Sequence, residues 1–173
     1  MNSSEPRTSV KPPHALSDRR ILQALRPEAE LTPAAESVRL AVQSIGPGAL
    51  IPANSVAPTR VHHPLSILAL LVYCYLRGIY SSNEIEALLW RDDGLRELAL
   101  NEIPSANMLR RFRRENRDCL HRCLAHALDF PEHGNVPPSR SRSSPSAQSA
   151  DEALQRIAKA MFIDRMESER PAS

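Results

Sequence analysis

The sequence predicts an all-α protein, built as a small helical bundle. Apolar residues recur at spacings of three and four in most hydrophobic segments, which is the period of an amphipathic helix. Prolines and glycines separate these segments, and no stretch shows the strict alternation of a half-buried strand. Aromatic residues make up only 4% of the 173 residues. The chain can therefore bury a modest core and should not fold along its whole length.

Two flanking segments precede the central part of the chain. Residues 1–15 are polar and Pro-rich and are predicted to form a disordered tail. Residues 16–61 are predicted to contain two short helices and then a Pro- and Gly-rich arm. The first helix covers 17–25. The second begins after Thr32, a suitable N-cap residue, and Pro33 occupies its first turn.

Residues 62–130 are predicted to form the helical domain. Its first helix starts at Pro64, which suits a first turn, and stops at Gly78, which favours the conformation that ends helices. This helix is apolar nearly all round, so it should lie at the centre of the bundle. A serine, Ser81 or Ser82, caps the next helix.

Two more helices complete this predicted domain. Trp90 closes the preceding helix and is expected to pack against the core. The Asp-Asp-Gly sequence at 92–94 breaks the chain and restarts it as a short helix over 95–100. Ser105 then opens a long helix that is predicted to run unbroken to Leu128.

The C-terminal part of the chain changes composition twice. Residues 131–150 are rich in Ser and Pro and are predicted to be a low-complexity linker, because they cannot bury enough surface to become ordered. Residues 151–173 are predicted to form a C-terminal helix and tail, with the helix running from Asp151 to about Glu167.

The net charge of +2 conceals an uneven distribution of charged residues. Acidic residues predominate in 81–103, whereas arginines predominate in 105–126. Of the 22 basic residues only Lys11 and Lys159 are lysine, so arginine carries nearly all the positive charge. The planar guanidinium fork suits phosphates and the edges of guanine bases.

The predicted long helix carries five candidate DNA-binding residues: Arg110, Arg111, Arg113, Arg114 and Arg117. On a helical wheel all except Arg111 fall within about 100°, beside the apolar side of the helix. Such a face can reach phosphates and base edges in a major groove, and Arg111 should contribute less. A bundle with one strongly basic helix predicts a variant helix-turn-helix module. A solvated surface helix without a ligand is the alternative interpretation.

The central residues also resemble a known family. The matching run covers residues 63–116 and reads HPLSILALLVYCYLRGIYSSNEIEALLWRDDGLRELALNEIPSANMLRRFRREN. Its ordered elements are His63-Pro64 before an apolar helix, a helix end leading into Tyr80 and two serines, an amphipathic helix, and a segment ending in Arg-Phe-Arg. These elements resemble the N-terminal domain of InsH-type insertion-sequence transposases. Ser105-Ala106-Asn107 departs from this pattern, since the family usually carries Asp-His-Ser/Thr there.

The resemblance implies a helical DNA-binding domain that recognises transposon ends. It also implies a following ribonuclease-H-like domain with three metal-binding carboxylates. The residues after Phe130 are too few for the mixed sheet of such a domain, and many of them belong to the predicted linker. We therefore expect that the chain is not an enzyme.

No cofactor or metal site is predicted. Cys119 and Cys123 lie one turn apart on the basic helix, but His121 and His126 point elsewhere, whereas zinc needs converging ligands. The three cysteines form no disulfide framework, and the apolar run 65–76 is too short to span a bilayer as a helix. We expect a cytoplasmic protein with no membrane partner.

The function predicted from these observations is that of a transposase-derived DNA-binding protein. It is either a truncated transposase or a regulator of transposition, and its expected partner is the DNA of transposon ends. The alternative is a helical protein-interaction module, in which the acidic residues of 81–103 and the basic residues of 105–126 pair between subunits. The protein partner would then be a second copy or an intact transposase.

We expect the purified chain alone neither to nick nor to join DNA in the presence of magnesium or manganese, because no spaced carboxylates for two-metal chemistry can be assigned. A nicking assay on supercoiled plasmid carrying transposon ends tests this. Metal-dependent nicking that a single Asp or Glu substitution abolishes would contradict the prediction.

Overall fold

The computed structural model describes residues 33–45, 50, 62–130 and 144–169. Over these residues the all-α prediction is confirmed, with seven helices and no strand. The predicted tail at 1–15, the predicted helix at 17–25 and all of the 46–61 arm except Leu50 lie outside the described residues. The helices are α1 (Pro33–Gln43), α2 (Pro64–Leu76), α3 (Ser82–Leu89), α4 (Asp93–Leu98), α5 (Ala106–Glu115), α6 (Arg117–Asp129) and α7 (Ala147–Ser168).

Helix α2 is the centre of the structure, as its apolar sequence predicts. Every residue from Leu65 to Val72 is buried, and so are Cys74 and Tyr75. The helix ends at Gly78, whose φ of 78° lies in the left-handed region that glycine adopts without strain. This turn allows the backbone N–H of Ile79 to donate to the carbonyl of Cys74 at 2.9 Å.

Side-chain N-caps begin three of the predicted helices, and the predicted serine cap of α3 is confirmed. The Ser81 hydroxyl accepts from the backbone N–H of Glu84, so Ser81 and not Ser82 is the cap of α3. Asp92 caps α4 and Ser105 caps α5 in the same way. Each cap satisfies an N–H group that has no partner within its helix.

Helix α4 ends earlier than predicted. It stops at Leu98 instead of Leu100, because Leu100 and Asn101 adopt positive φ angles of 57° and 61°. Left-handed residues cannot continue a right-handed helix, so the chain turns here toward α5. The sequence carries no glycine at this turn, and its one signal is Asn101, a residue type enriched in the left-handed region.

The prediction of one long basic helix is wrong. The chain forms two helices, α5 and α6, that meet at Asn116, where φ is −116° and ψ is 28°. The buried Asn116 side chain donates to the carbonyl of Phe112 at 3.3 Å. Short amide side chains compete in this way for backbone groups and favour helix ends.

Helix α7 begins inside the predicted linker, so assigning 147–150 to a low-complexity linker is wrong. The Ser146 hydroxyl accepts from the backbone N–H of Ser149 at 3.1 Å and caps the helix. The Ser149 hydroxyl is itself buried and donates to Asp129 at the end of α6, at 2.9 Å. The serines that give this stretch its low-complexity composition are therefore the residues that start the helix and attach it to α6.

The hydrophobic core includes the helices on both sides of the predicted 62–130 domain. From α1 it takes Val38, Ala41 and Val42, and from α7 it takes Ala153, Ile157 and Ala160. Helix α7 packs along α6, while α1 lies against both α2 and α6. Helices α2 and α6 are buried on several sides, so they need α1 and α7 as cover.

The expectation that Trp90 packs against the core is wrong, since its side chain is 67% exposed. Trp90 is the C-cap of α3 and lies about 100° past Leu89 on a helical wheel, away from the buried side. No helix in the described ranges is both long enough and apolar enough to cross a membrane.

Replacing Leu68 or Leu71 in α2 by Asp should unfold the protein. Both side chains are fully buried, and an unpaired buried carboxylate costs several kcal/mol against a total stability of roughly 5–15 kcal/mol. The cooperative thermal transition followed by circular dichroism should disappear. Ala87→Asp places the same charge at an exposed position of α3 and should keep the transition. An unchanged transition in Leu68→Asp and Leu71→Asp would contradict the central role of α2.

Candidate nucleic-acid interface

An acidic residue of α3 holds the N-terminus of α5. The backbone N–H of Ala106 donates to the Glu86 carboxylate at 2.7 Å. A carboxylate is favourable here because the first N–H groups of a helix lack partners and carry partial positive charge. On the buried side of α5, Leu109 and Phe112 are fully enclosed in the core. These contacts set both the position and the rotation of α5.

Arg113 is buried and makes an internal ion pair. Its side chain is 1% exposed. The guanidinium donates to the Asp164 carboxylate of α7 and to the Ser82 hydroxyl of α3, the latter at 3.0 Å. It also lies 5.5 Å from the centre of the Tyr75 ring. Arg113 thus connects α5 to α2, α3 and α7, and it presents no group to the surface.

The partners of Asp164 complete this buried network. The backbone N–H of Ser82 donates to one oxygen of Asp164 at 2.9 Å, and the Ser82 hydroxyl donates to the other at 2.8 Å. Asp164 therefore accepts from the first residue of α3 as well as from Arg113. A buried carboxylate needs such a set of donors, since burial removes its hydration.

Arg110 lies at the edge of the same network and is partly covered. Its side chain is 18% exposed, and its guanidinium donates to Asn83 at 2.9 Å and to Asn107 at 3.0 Å. Oxygens of Asp164 and Glu167 lie 3.6 Å and 3.8 Å from its nitrogens. Two acids of α7 therefore offset much of the charge of Arg110.

The exposed side of α5 carries Asn107, Arg111 and Arg114. On a helical wheel these residues fall within about 60° of each other and nearly opposite the buried side. Arg111 donates from Nε to Glu115 one turn later, at 2.6 Å, and its side chain remains 46% exposed. Arg117 is also exposed, but it belongs to the first turn of α6.

The five predicted arginines are thus distributed differently from the single helical face that the wheel described. The structure brings Arg110, Arg111 and Arg114 together on α5, puts Arg117 on another helix and buries Arg113. The wheel fails for Arg117 because the helix breaks at Asn116, and for Arg113 because Asp164 of α7 pairs with it in the interior. Arg111, which the wheel placed off the main face, lies on the exposed side of α5.

Sequence reasoning missed Asn107, Asp164 and Glu167. One signal for Asp164 was present: on a wheel of α7 it falls within about 60° of Ala153, Ile157 and Ala160. All four are buried. A carboxylate in an otherwise apolar inward stripe indicates a buried cationic partner, because charges are rarely buried unpaired.

The cysteines show no sign of a metal centre in the described part of the chain. Cys74, Cys119 and Cys123 are buried and form no disulfide with one another. No group of three or more His, Cys, Asp or Glu side chains among the described residues is placed to share an ion. Burial raises the pKa of the Cys123 thiol, which disfavours the thiolate that binds metals.

Comparisons with protein-family models, with curated proteins and with solved structures find no match for this chain.

Arg113→Ala should lower the free energy of unfolding by about 3–5 kcal/mol, because it leaves Asp164 buried without a counter-charge. Chemical denaturation with urea measures the change. Arg117→Ala removes the same charge from an exposed position and should alter stability by less than about 0.5 kcal/mol. Equal stabilities of the two variants would show that the buried pair does not hold the helices together.

Proposed function

We propose that this chain is a DNA-binding protein related to the InsH-type transposases, and that α5 is the helix that enters the major groove. One observation carries the proposal: Asn107, Arg111 and Arg114 form a polar, basic and exposed side of α5. The resemblance of residues 63–116 to the N-terminal domain of those transposases supports it independently.

The chemistry of these three side chains suits base recognition. An arginine fork donates to N7 and O6 of guanine, and an asparagine amide pairs with N7 and N6 of adenine. From Asn107 to Arg114 the helix rises about 10 Å, which matches roughly three stacked base pairs. We therefore assign base contacts to Asn107, Arg111 and Arg114.

Neighbouring arginines suit contacts with the DNA backbone. Arg117 follows α5 directly and is exposed at the start of α6. Arg110 borders the same side of α5 with part of its guanidinium accessible. Contacts to phosphates place a protein on the duplex without reading its sequence. Arg113 takes no part in the proposed contacts while it is paired with Asp164.

The packing of α3 against α5 supports a variant helix-turn-helix arrangement. In that motif a first helix crosses the DNA backbone and positions the second in the groove. Here Glu86 and Asn83 of α3 bind the N-terminus and Arg110 of α5. Helix α4 and a turn separate the two, so the connection is longer than in the common form of the motif.

In this proposal the chain recognises the ends of a transposon. Bound there, it would occupy ends that an intact transposase recognises. The three cysteines form no disulfide with one another, which suits a reducing compartment, and we propose a cytoplasmic location.

The alternative pairing of acidic and basic blocks between subunits has less support. Several acids of the 81–103 block already have partners within the chain. Glu86 accepts from the N-terminus of α5, Glu102 lies 2.6 Å from His62, and Asp93 pairs with Arg96. Glu86 would have to leave the helix N-terminus that it stabilises in order to pair with another subunit. The exposed pair of Asp93 and Arg96 contributes little and would be given up at small cost.

Replacing both Arg111 and Arg114 by Ala should weaken DNA binding and reduce its salt dependence. On a duplex of mixed sequence these two guanidinium groups neutralise phosphates instead of reading bases. We therefore expect the log–log slope of affinity against salt to fall by about one to two units, at roughly 0.9 for each phosphate that is no longer neutralised. Fluorescence anisotropy with a labelled 30-base-pair duplex of mixed sequence, titrated at several salt concentrations, measures both quantities. Helix content should not fall, because Ala is the better helix former.

The matched control is the double variant Arg91→Ala and Arg96→Ala, which removes the same charge from the end of α3 and from α4. It should keep the affinity and the salt slope close to those of the unmodified protein. If the variant at Arg111 and Arg114 binds as tightly as this control, with an equal slope, α5 is not the DNA-binding helix.

A further inference from the structure

Helix α7 carries a second apolar surface in addition to the one that packs on the bundle. Six large apolar side chains are exposed in the described part of the chain, and four of them lie on α7. Phe162 is 63% exposed, and the other three are 37–48% exposed. These four residues are Leu154, Met161, Phe162 and Met166. Exposed apolar side chains gathered on one element mark an interaction surface more often than single ones do.

The two surfaces of α7 are distinct. The buried residues Ala153, Ile157, Ala160 and Asp164 fall within about 60° of one another on a helical wheel. We define the outer face of α7 as the exposed residues between Asp151 and Arg165 that fall within a sector of about 100°, centred about 120° from the buried residues. They are Asp151, Leu154, Ala158, Met161, Phe162 and Arg165. Met166 lies outside this sector.

We propose that two copies of this chain pair through the outer faces of α7, in antiparallel orientation, with the two-fold axis at Ala158. In this register Asp151 of each copy faces Arg165 of the other, and Leu154 faces Phe162. The outer face is therefore complementary to itself in both charge and apolar surface. This self-complementarity is the requirement of a two-fold symmetric interface, in which the same patch serves on both subunits.

The residue at the centre of the register allows close approach. Ala158 is exposed and meets its own symmetry mate on the axis. Helices approach to about 8 Å where the contacting side chains are small, and to about 10 Å where they are large. An alanine at the crossing point lets the larger side chains on either side interdigitate.

The charges select the antiparallel arrangement over the parallel one. A parallel pair would set Asp151 against Asp151 and Arg165 against Arg165, which repels at both ends. In the single chain Arg165 donates to Glu169 at 2.9 Å. Both of these side chains are more than half exposed, and such exposed pairs contribute little. Arg165 can therefore exchange Glu169 for Asp151 of the other copy at small cost.

This inference does not rest on the proposed function, because the dimer would form without DNA. If both hold, the dimer presents two copies of α5, which suits a DNA site with two-fold symmetry. If either the dimer or the DNA-binding proposal fails, the other can still be tested. Variants of α7 are compared by their extent of dimerisation, and variants of α5 by their affinity for DNA.

Cysteine cross-linking of the full chain tests the register. Ala158→Cys puts a thiol of each copy on the two-fold axis and should give a disulfide-linked dimer under mild oxidation. Ala147→Cys is the matched control, because it is exposed on the same side of α7 and carries no charge. Its two thiols would lie about 33 Å apart along the helices, whereas a disulfide needs Cα atoms within about 7 Å. The native cysteines are buried and give little background. Cross-linking of Ala147→Cys as readily as Ala158→Cys would indicate parallel pairing and overturn the proposal.

Sedimentation velocity at low salt tests the contacts without a cross-link. Phe162→Ala should weaken dimerisation about tenfold or more. Trp90→Ala removes an equally exposed aromatic side chain from α3 and should leave it unchanged. Asp151→Arg and Arg165→Asp should each weaken the dimer about three- to tenfold, and the two together should restore it.

Three outcomes would overturn the proposal. The first is an unmodified chain that stays monomeric at high concentration, as it would if another segment of the same chain covered the outer face. The second is a Trp90→Ala variant that weakens dimerisation as much as Phe162→Ala. The third is a double charge exchange that does not restore what the single changes remove.

Discussion

The buried ion pair between Arg113 and Asp164 is the interaction on which the rest of the arrangement depends. It joins α5 to α7, and through Ser82 it includes the start of α3. A charged pair in a core is costly to desolvate, so it persists only where the surrounding groups satisfy its remaining donors and acceptors. Ser82 meets most of this need: its backbone N–H and hydroxyl donate to Asp164, and its hydroxyl accepts from Arg113, while the buried Nε of Arg113 has no hydrogen-bond partner among the described residues. Helix α7 is therefore attached by a specific polar contact as well as by apolar burial.

This pair also decides which side of α5 faces solvent. With Arg113 directed inward beside Leu109 and Phe112, the opposite side of the helix presents Arg111 and Arg114. A helix with arginines on several sides has no single basic face of its own. The acid on α7 selects one side for the interior and leaves another for a ligand. The same acid, together with Glu167, offsets part of the charge of Arg110.

Helix α7 has three roles in the structure. Its inner stripe completes the core with Ala153 and Ile157, and its C-terminal acids organise the arginines of α5. Its outer face remains apolar and is the surface that we assign to a second copy. A helix with only one apolar stripe could cover the bundle but would have no exposed apolar surface to offer a partner.

The sequence by itself determined the helix boundaries that depend on local chemistry. Pro64 and Gly78 bound α2, and Ser81, Asp92 and Ser105 cap the next three helices, because caps and stops act on backbone groups a few residues away. The almost uniformly apolar sequence of α2 also sufficed to place that helix at the centre. These features require no knowledge of distant residues.

Only the tertiary structure decided which arginines are exposed to solvent and can therefore contact a ligand. Arg113 and Arg114 are neighbours with the same chemistry, yet one is buried and the other exposed, since Asp164 lies 51 residues away along the chain from Arg113. The break at Asn116 and the end of α4 at Leu98 arise from local backbone geometry and the Asn116 amide, but the helical period alone cannot reveal them. A periodic pattern reports which residues share a side of a helix, but the partner that covers that side is contributed by another part of the chain.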